Sequence, residues 1–173
     1  MDITEVILHQ HGEQRRMFAM LEEWPRDDET GLDALWQRLE ILLEVHAEAE
    51  ERFFYPELVK LGKGGGDAPS MEEEVEDAIK DHDEIREAIR AVRRCKAGSK
   101  KWWAAILEAN VANSDHMAEE ERQDLTDFRE QATLALRHGL AVQFVRYEAE
   151  HWARGVKPVD KDPEEFVEEH ESD

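Results

Sequence analysis

The chain has 173 residues, a single cysteine and a formal net charge of −21, from 43 acidic and 22 basic residues. This charge argues against nucleic acid or an anionic membrane surface as a partner, and no apolar run approaches the length of about 20 residues that spans a bilayer. Because one thiol cannot form an intramolecular disulfide, and the N-terminal residues read as an amphipathic helix rather than a signal peptide, we expect a cytoplasmic protein.

The first predicted helix begins at Ile3. Apolar residues recur at steps of three and four through Ile7 and Phe18, and His11 lies on the same face. His9 falls on nearly the opposite side, so we interpret it as a surface residue. The pattern ends near Trp24 and the proline that follows it.

The second predicted helix carries an apolar stripe that passes directly through a histidine and a glutamate. Leu35 and Leu39 belong to this stripe, which continues through His46 and Glu50. Pro56 lies ten residues after His46 and should kink or end the helix, which we expect to finish by Leu61.

The third predicted helix follows the only glycine cluster of the chain. Residues 62–69 are predicted to form a flexible junction, and Ser70 to cap a helix that Gly98 closes. His82 lies on the inner face of this helix between Ile79 and Ile85.

The fourth predicted helix is capped by Ser99, begins with Trp102 and Trp103 at the end of the core, and carries His116 and Glu120 on its stripe. Four long amphipathic helices joined by short loops predict an all-α, up-down-up-down four-helix bundle. In such a bundle the first and third helices run parallel, as do the second and fourth.

We assign residues 1–125 to this bundle and residues 126–173 to a helical extension that packs on it. The extension is predicted to contain a helical stretch over residues 129–152 and one short final helix, with Asp162 as its N-cap and Pro163 at its first position. The predicted inner face of the longer stretch consists of Leu134, His138, Ala141, Val145, Ala149 and Trp152.

The candidate functional residues form an internal repeat. His46 and Glu50 are one helical turn apart, as are His116 and Glu120, so each pair can converge on one ion. Each pair follows a single histidine, His11 or His82, and the spacings agree: 82 − 11 = 71, 116 − 46 = 70 and 120 − 50 = 70. Taken singly, each residue would more often be an ordinary core histidine or a solvent-reaching glutamate.

Six such residues together in one core favour a metal site, because an unpaired buried carboxylate costs several kcal/mol. Imidazole and carboxylate ligands without thiolate suit iron, manganese or zinc. A structural zinc needs only four ligands, so four histidines and two glutamates indicate two ions that share bridging carboxylates. The pattern differs from that of ferritin-like di-iron proteins, in which glutamate precedes histidine at a spacing of three.

The sequence resembles the hemerythrin-like proteins of the HHE cation-binding family over about residues 3–124, most closely their bacterial branch. The residues that carry the resemblance are Gln10 and His11, His46 to Glu50 followed by Phe53 to Pro56, Asp81 to Arg86, and His116 to Glu120. The resemblance implies a di-iron centre with an oxo or hydroxo bridge, in which manganese or zinc could replace iron. Its implied ligands are His11, His46, Glu50, His82, His116 and Glu120.

Two departures bear on the expected chemistry. Oxygen-carrying members have a second histidine where this chain has Arg86, and they end with histidine and aspartate five apart, where this chain has His116 and Glu120. The resemblance therefore implies that the protein binds O2, NO or peroxide. It favours peroxide- or NO-related redox chemistry, or sensing, over reversible oxygen carriage. Some members recruit a tyrosine to iron. Extending the periodicity of the second helix predicts that Tyr55 points away from the ligand face. For Tyr147 the sequence leaves a role as an iron ligand undecided.

Whether the chain is an enzyme stays open at this point. A catalase- or peroxidase-like or NO-related activity, a non-catalytic sensor or store of oxygen, NO or iron, and a plain structural bundle are the alternatives. We expect a monomer or homodimer.

Overall fold

The computed structural model describes residues 1–61 and 71–171, and all regular structure in these ranges is helical. The junction predicted for residues 62–69 and the Ser70 cap lie outside the described residues. The helices are α1 (Ile3–Glu23), α2 (Glu29–Phe53), α3 (Tyr55–Leu61), α4 (Met71–Arg93), α5 (Lys100–Arg122), α6 (Asp124–Gln131), α7 (Leu134–His151) and α8 (Pro163–Glu171). The prediction of an all-α bundle with extra C-terminal helices is confirmed.

Side-chain caps fix where three of the long helices begin. The Asp2 carboxylate accepts a hydrogen bond from the backbone N–H of Thr4 at the start of α1, and Asp28 accepts one from Gly31 near the start of α2. Ser99 caps α5 as predicted. Each bond satisfies a backbone donor that the first helical turn leaves without a partner.

The predicted break at Pro56 is confirmed and lies just before the proline. Helix α2 ends at Phe53, and α3 starts at Tyr55 with Pro56 in its first turn, where a missing N–H costs no helical hydrogen bond. Phe54 joins the two helices with φ −98° and ψ −59°. The rotation of the chain at this residue changes the direction of every side chain that follows it.

The core consists of two apolar clusters separated by a polar layer. One cluster surrounds Ile7, Phe54 and Phe128, and the other surrounds Leu39 and Trp102 at the opposite end of the bundle. Along each of α1, α2 and α4, the candidate ligands lie between residues of one cluster and residues of the other, and those of α5 lie between Ala109 of the second cluster and Leu125 of α6, which belongs to the first. The polar layer is therefore enclosed by apolar side chains on both sides.

The extension departs from prediction in two respects. Residues 129–152 do not form one helix: α6 ends at Gln131, Ala132 and Thr133 are extended, and Thr133 caps α7. The predicted inner face is wrong except at Ala141: Leu134 and Trp152 are exposed, whereas the buried residues of α7 are Leu140, Ala141, Phe144 and Glu148. A new cap sets a new helical phase, and a buried glutamate does not register in an apolar pattern.

Helix α7 packs against α1 and α2, and α8 packs against α3 and α4. The predicted cap of α8 is confirmed, since the Asp162 carboxylate accepts a hydrogen bond from the N–H of Glu165 at 3.0 Å. The proposed boundary between residues 125 and 126 falls within α6 and stays a prediction. No helix of the described ranges is long and apolar enough to cross a membrane.

Candidate metal centre

The fold brings the six predicted ligand residues together in the polar layer. Each is at most 3% exposed. Ligand atoms of two groups of three lie within 4.8 Å of one another, a spacing at which each group could hold an ion. The first group is His11, His46 and Glu50, and the second is Glu50, His82 and His116.

Glu50 is common to both groups. Its Oε1 lies 2.9 Å from Nε2 of His46 and 3.9 Å from Nε2 of His11, and its Oε2 lies 3.3 Å from Nε2 of His82. One carboxylate thus presents an oxygen to each side of the layer. A carboxylate in this position is a natural bridge between two ions.

Glu120 also spans the two groups, although it belongs to neither. Its Oε2 lies 3.1 Å from Nε2 of His11 and 4.0 Å from Nε2 of His116. The Nε2 atoms of His82 and His116 are themselves only 3.2 Å apart. All four imidazoles therefore turn Nε2 toward the two carboxylates.

The other ring nitrogen, Nδ1, faces a polar side chain in every case. These outer partners are Glu121 for His11 at 2.9 Å, Gln10 for His46 at 2.6 Å, Glu51 for His82 at 2.8 Å and Asp81 for His116 at 3.5 Å. An acceptor at Nδ1 keeps the proton on that nitrogen, so the lone pair of Nε2 is available to a metal.

The outer partners follow the same internal repeat as the ligands. Glu51 and Glu121 each follow a ligand glutamate and are 121 − 51 = 70 residues apart, and each binds the single histidine of the other half. Gln10 and Asp81 precede the single histidines, 81 − 10 = 71 residues apart. The repeated sequence His-x-x-x-Glu-Glu was the signal that could have identified Glu51 and Glu121 before the structure.

Several atoms of this layer are buried without a hydrogen bond. They are Nε2 of His11, Nε2 of His46, both carboxylate oxygens of Glu50 and Oε2 of Glu120. Buried polar atoms without partners are rare and call for an explanation such as an ion. The oxygens and imidazole nitrogens that lack partners are the ligand atoms that iron, manganese or zinc prefers, so the residues fit a bound metal.

In the metal-free protein, these carboxylates hold protons on two of the histidines. Burial lowers the pKa of His11, but Glu120 and Glu121 outweigh it and raise the pKa to about 9. Glu50 and Glu51 likewise outweigh burial and raise the pKa of His82 to about 9. Metal ions must displace these protons, because only the neutral imidazole binds a metal through Nε2.

Tyr55 belongs to the site, contrary to the prediction. Its ring is fully buried, and its hydroxyl lies 3.3 Å from Oε1 of Glu120 and 3.4 Å from Nε2 of His82. The prediction extended the phase of α2 through a residue that begins α3, and the turn at Phe54 redirects the side chain. Burial, with Glu120 and Glu50 nearby, raises the pKa of the Tyr55 hydroxyl well above its ordinary range.

Tyr147, by contrast, packs outside the layer. Its ring contacts Phe53 edge-on at 5.8 Å and stacks on His151 at 4.1 Å, and Arg52 lies over its face. His151 is likewise a packing residue outside the layer.

Arg86 occupies the position where oxygen-carrying relatives have a further histidine. Its guanidinium donates to Glu51 at 2.6 Å and to Asp83 at 2.9 Å, and the residue is 1% exposed. Arg86 therefore supports an outer partner of the site and supplies no ligand.

These observations define a class of protein: a helical bundle that holds a metal between paired histidine and glutamate side chains. The family model described as the hemerythrin HHE cation-binding domain matches residues 2–127, and the chain belongs to this family. Neither a curated protein nor a solved structure matches the chain.

Proposed function

We propose that the protein is a non-haem di-iron protein that binds a small ligand (O2, NO or H2O2) and uses it in peroxide- or NO-related redox chemistry. The two ions would be held by His11, His46, Glu50, His82, His116 and Glu120, with both glutamates bridging. The observation that carries the proposal is the shared position of Glu50, whose two buried oxygens face different groups of histidines and form no hydrogen bond.

When bound, an iron pair would supply electron exchange with a small ligand. The chain itself provides two imidazoles for each ion, orients them through their Nδ1 partners and excludes bulk water by the two apolar clusters. Tyr55 keeps its proton at neutral pH and donates it to Oε1 of Glu120, so it offers an O–H group beside the ions.

Two cavities, both lined by helices that carry the layer, support access of small ligands. One, of about 270 Å³, is lined by His116, Glu120 and further acidic side chains. The other, of about 320 Å³, is mainly apolar and is lined by Met17 of α1 and by Val45, which directly precedes His46 on α2. The first suits cations and polar ligands such as peroxide, and the second suits apolar diatomic gases.

The acidic lining of the smaller cavity also favours an alternative, a non-catalytic sensor or store of oxygen, NO or iron. Its carboxylates include Glu74, Asp77, Asp81 and Glu119, a set that attracts cations rather than anionic substrates. A single cysteine is consistent with a cytoplasmic location, as either a monomer or a homodimer.

Peroxide consumption by iron-loaded protein separates the two functions. We expect the wild type to consume many equivalents of H2O2 in a steady state, whereas a sensor would stop after about one. His46→Ala should abolish iron uptake, and His9→Ala, which changes an exposed histidine of α1, should not. If His46→Ala leaves both iron content and stability unchanged, the bundle is purely structural and the proposal is wrong.

A further inference from the structure

The C-terminal segment, defined as residues 155–171, contacts α2 through Lys161 and packs on α3 and α4 through α8. Asp160 pairs with Arg90 of α4 at 3.1 Å, and Phe166 and Val167 of α8 are buried in the core. Between these two attachments, Lys161 directs its side chain toward α2 and is about three-quarters buried. None of these C-terminal residues lies within the stretch that matches the family.

The ammonium group of Lys161 contacts the carboxylate of Glu51, which orients His82. The Nζ atom of Lys161 forms an ion pair with Oε2 of Glu51 and lies 3.4 Å from Oε2 of Glu48. The other oxygen of Glu51, Oε1, accepts hydrogen bonds from Nδ1 of His82 at 2.8 Å and from the guanidinium of Arg86 at 2.6 Å. Lys161 therefore occupies one oxygen of Glu51 and leaves the other for the histidine.

The corresponding carboxylate of the other half is supported differently. Glu121, which orients His11, pairs with Arg15 of α1 at 2.8 Å and keeps 28% of its side chain exposed. The Glu51 side chain is fully buried, so the position of its carboxylate depends wholly on its protein partners. Only one of these partners, Lys161, comes from the C-terminal segment.

We propose that Lys161 is a positioning residue of the metal centre, which holds Glu51 against His82 and thereby couples docking of the C-terminal segment to metal binding. The inference rests on the proposed function and extends it to residues beyond the family match. Outer partners of ligand histidines typically change metal affinity by 10- to 100-fold when they are removed. The coupling is reciprocal, so metal binding must also favour the docked segment.

Cobalt(II) titration with a competing chelator tests the proposal, because the visible bands of cobalt report its coordination. We expect wild type to bind two equivalents, and Lys161→Met to bind one of them about tenfold more weakly with altered bands. Lys161→Arg, which keeps the cation, should recover most of the affinity. Lys157→Met removes an exposed lysine of the same segment and should match wild type.

The outcomes separate this inference from the proposed function. If wild type binds no cobalt, the metal site itself is wrong. If wild type binds two equivalents and Lys161→Met behaves like Lys157→Met, only the role of Lys161 is overturned.

Hydrogen exchange of the wild type provides a second test that requires no folded variant. We expect cobalt to slow exchange of the backbone amides of residues 156–162 at least threefold, with no comparable effect at residues 149–154. Equal exchange with and without cobalt at residues 156–162 would overturn the coupling.

Discussion

Metal binding should release protons from His11 and His82. Both have a pKa of about 9 in the metal-free fold, so both carry a proton at pH 7. A raised histidine pKa stabilises the metal-free fold fully below the unfolded value of 6.5, and this contribution is lost as the pH rises through about 9. The free energy of unfolding of metal-free protein should therefore fall between pH 6.5 and 9.

The magnitude follows from the same pKa values. At pH 7 each histidine is two units below its pKa, so its deprotonation costs about 3 kcal/mol and that of the pair costs about 5 kcal/mol. Each proton released makes binding about tenfold more favourable per pH unit, so loading of the complete site should become about 100-fold more favourable between pH 7 and 8. The increase should level off near pH 9.

Calorimetric titration with zinc at pH 7, in two buffers of different ionisation enthalpy, counts these protons. We expect about two per chain from the histidines. Glu121→Gln is the matched variant: it removes one of the carboxylates that raise the pKa of His11, the one 2.9 Å from Nδ1, so the pKa should fall and the count should drop below that of wild type. An affinity that does not change between pH 7 and 8, or a count near zero, would refute this reasoning.

Three further predictions concern single side chains. Glu50→Gln should reduce bound metal to at most one ion per chain and weaken binding by about 3–5 kcal/mol, whereas Glu23→Gln on the surface of α1 should match wild type in a chelator competition. Tyr55→Phe removes the donor to Glu120 and should shift the near-ultraviolet and visible bands of iron-loaded protein; unchanged bands would exclude Tyr55 from the site. Burial raises the pKa of Glu148 from 4.5 to about 7, so its contribution to stability is full below pH 4.5 and lost as the pH rises through 7. In urea unfolding, the free energy of unfolding of Glu148→Gln relative to wild type should therefore rise by up to about 3 kcal/mol from pH 5 to pH 8. The same difference between variant and wild type at both pH values would contradict this assignment.

The sequence predicted which residues meet in the polar layer because their geometry is local. A spacing of four residues within one helix places His46 beside Glu50 whatever the rest of the chain does, and the repeat of about 70 residues relates the two halves. The stripes of α1, α2, α4 and α5 also continue without interruption through the ligand positions. Helical periodicity was therefore sufficient for the bundle and for the residues that line its polar layer.

The predictions that were wrong all cross a point where helical phase is reset. Tyr55 follows the turn at Phe54, and the inner face of α7 follows the break at Thr133, so neither could be extrapolated from the preceding helix. Lys161 was missed for a different reason. Its contact with Glu51 joins residues 110 positions apart, and no periodic pattern encodes such a pair.

The number and coupling of the bound irons test the central claim most directly. Protein loaded with ⁵⁷Fe, freed of loosely bound metal, should contain two irons per chain, and its Mössbauer spectrum in a magnetic field should show an antiferromagnetically coupled pair. A single zinc, one iron, or two irons without magnetic coupling would contradict a centre in which Glu50 and Glu120 bridge the ions.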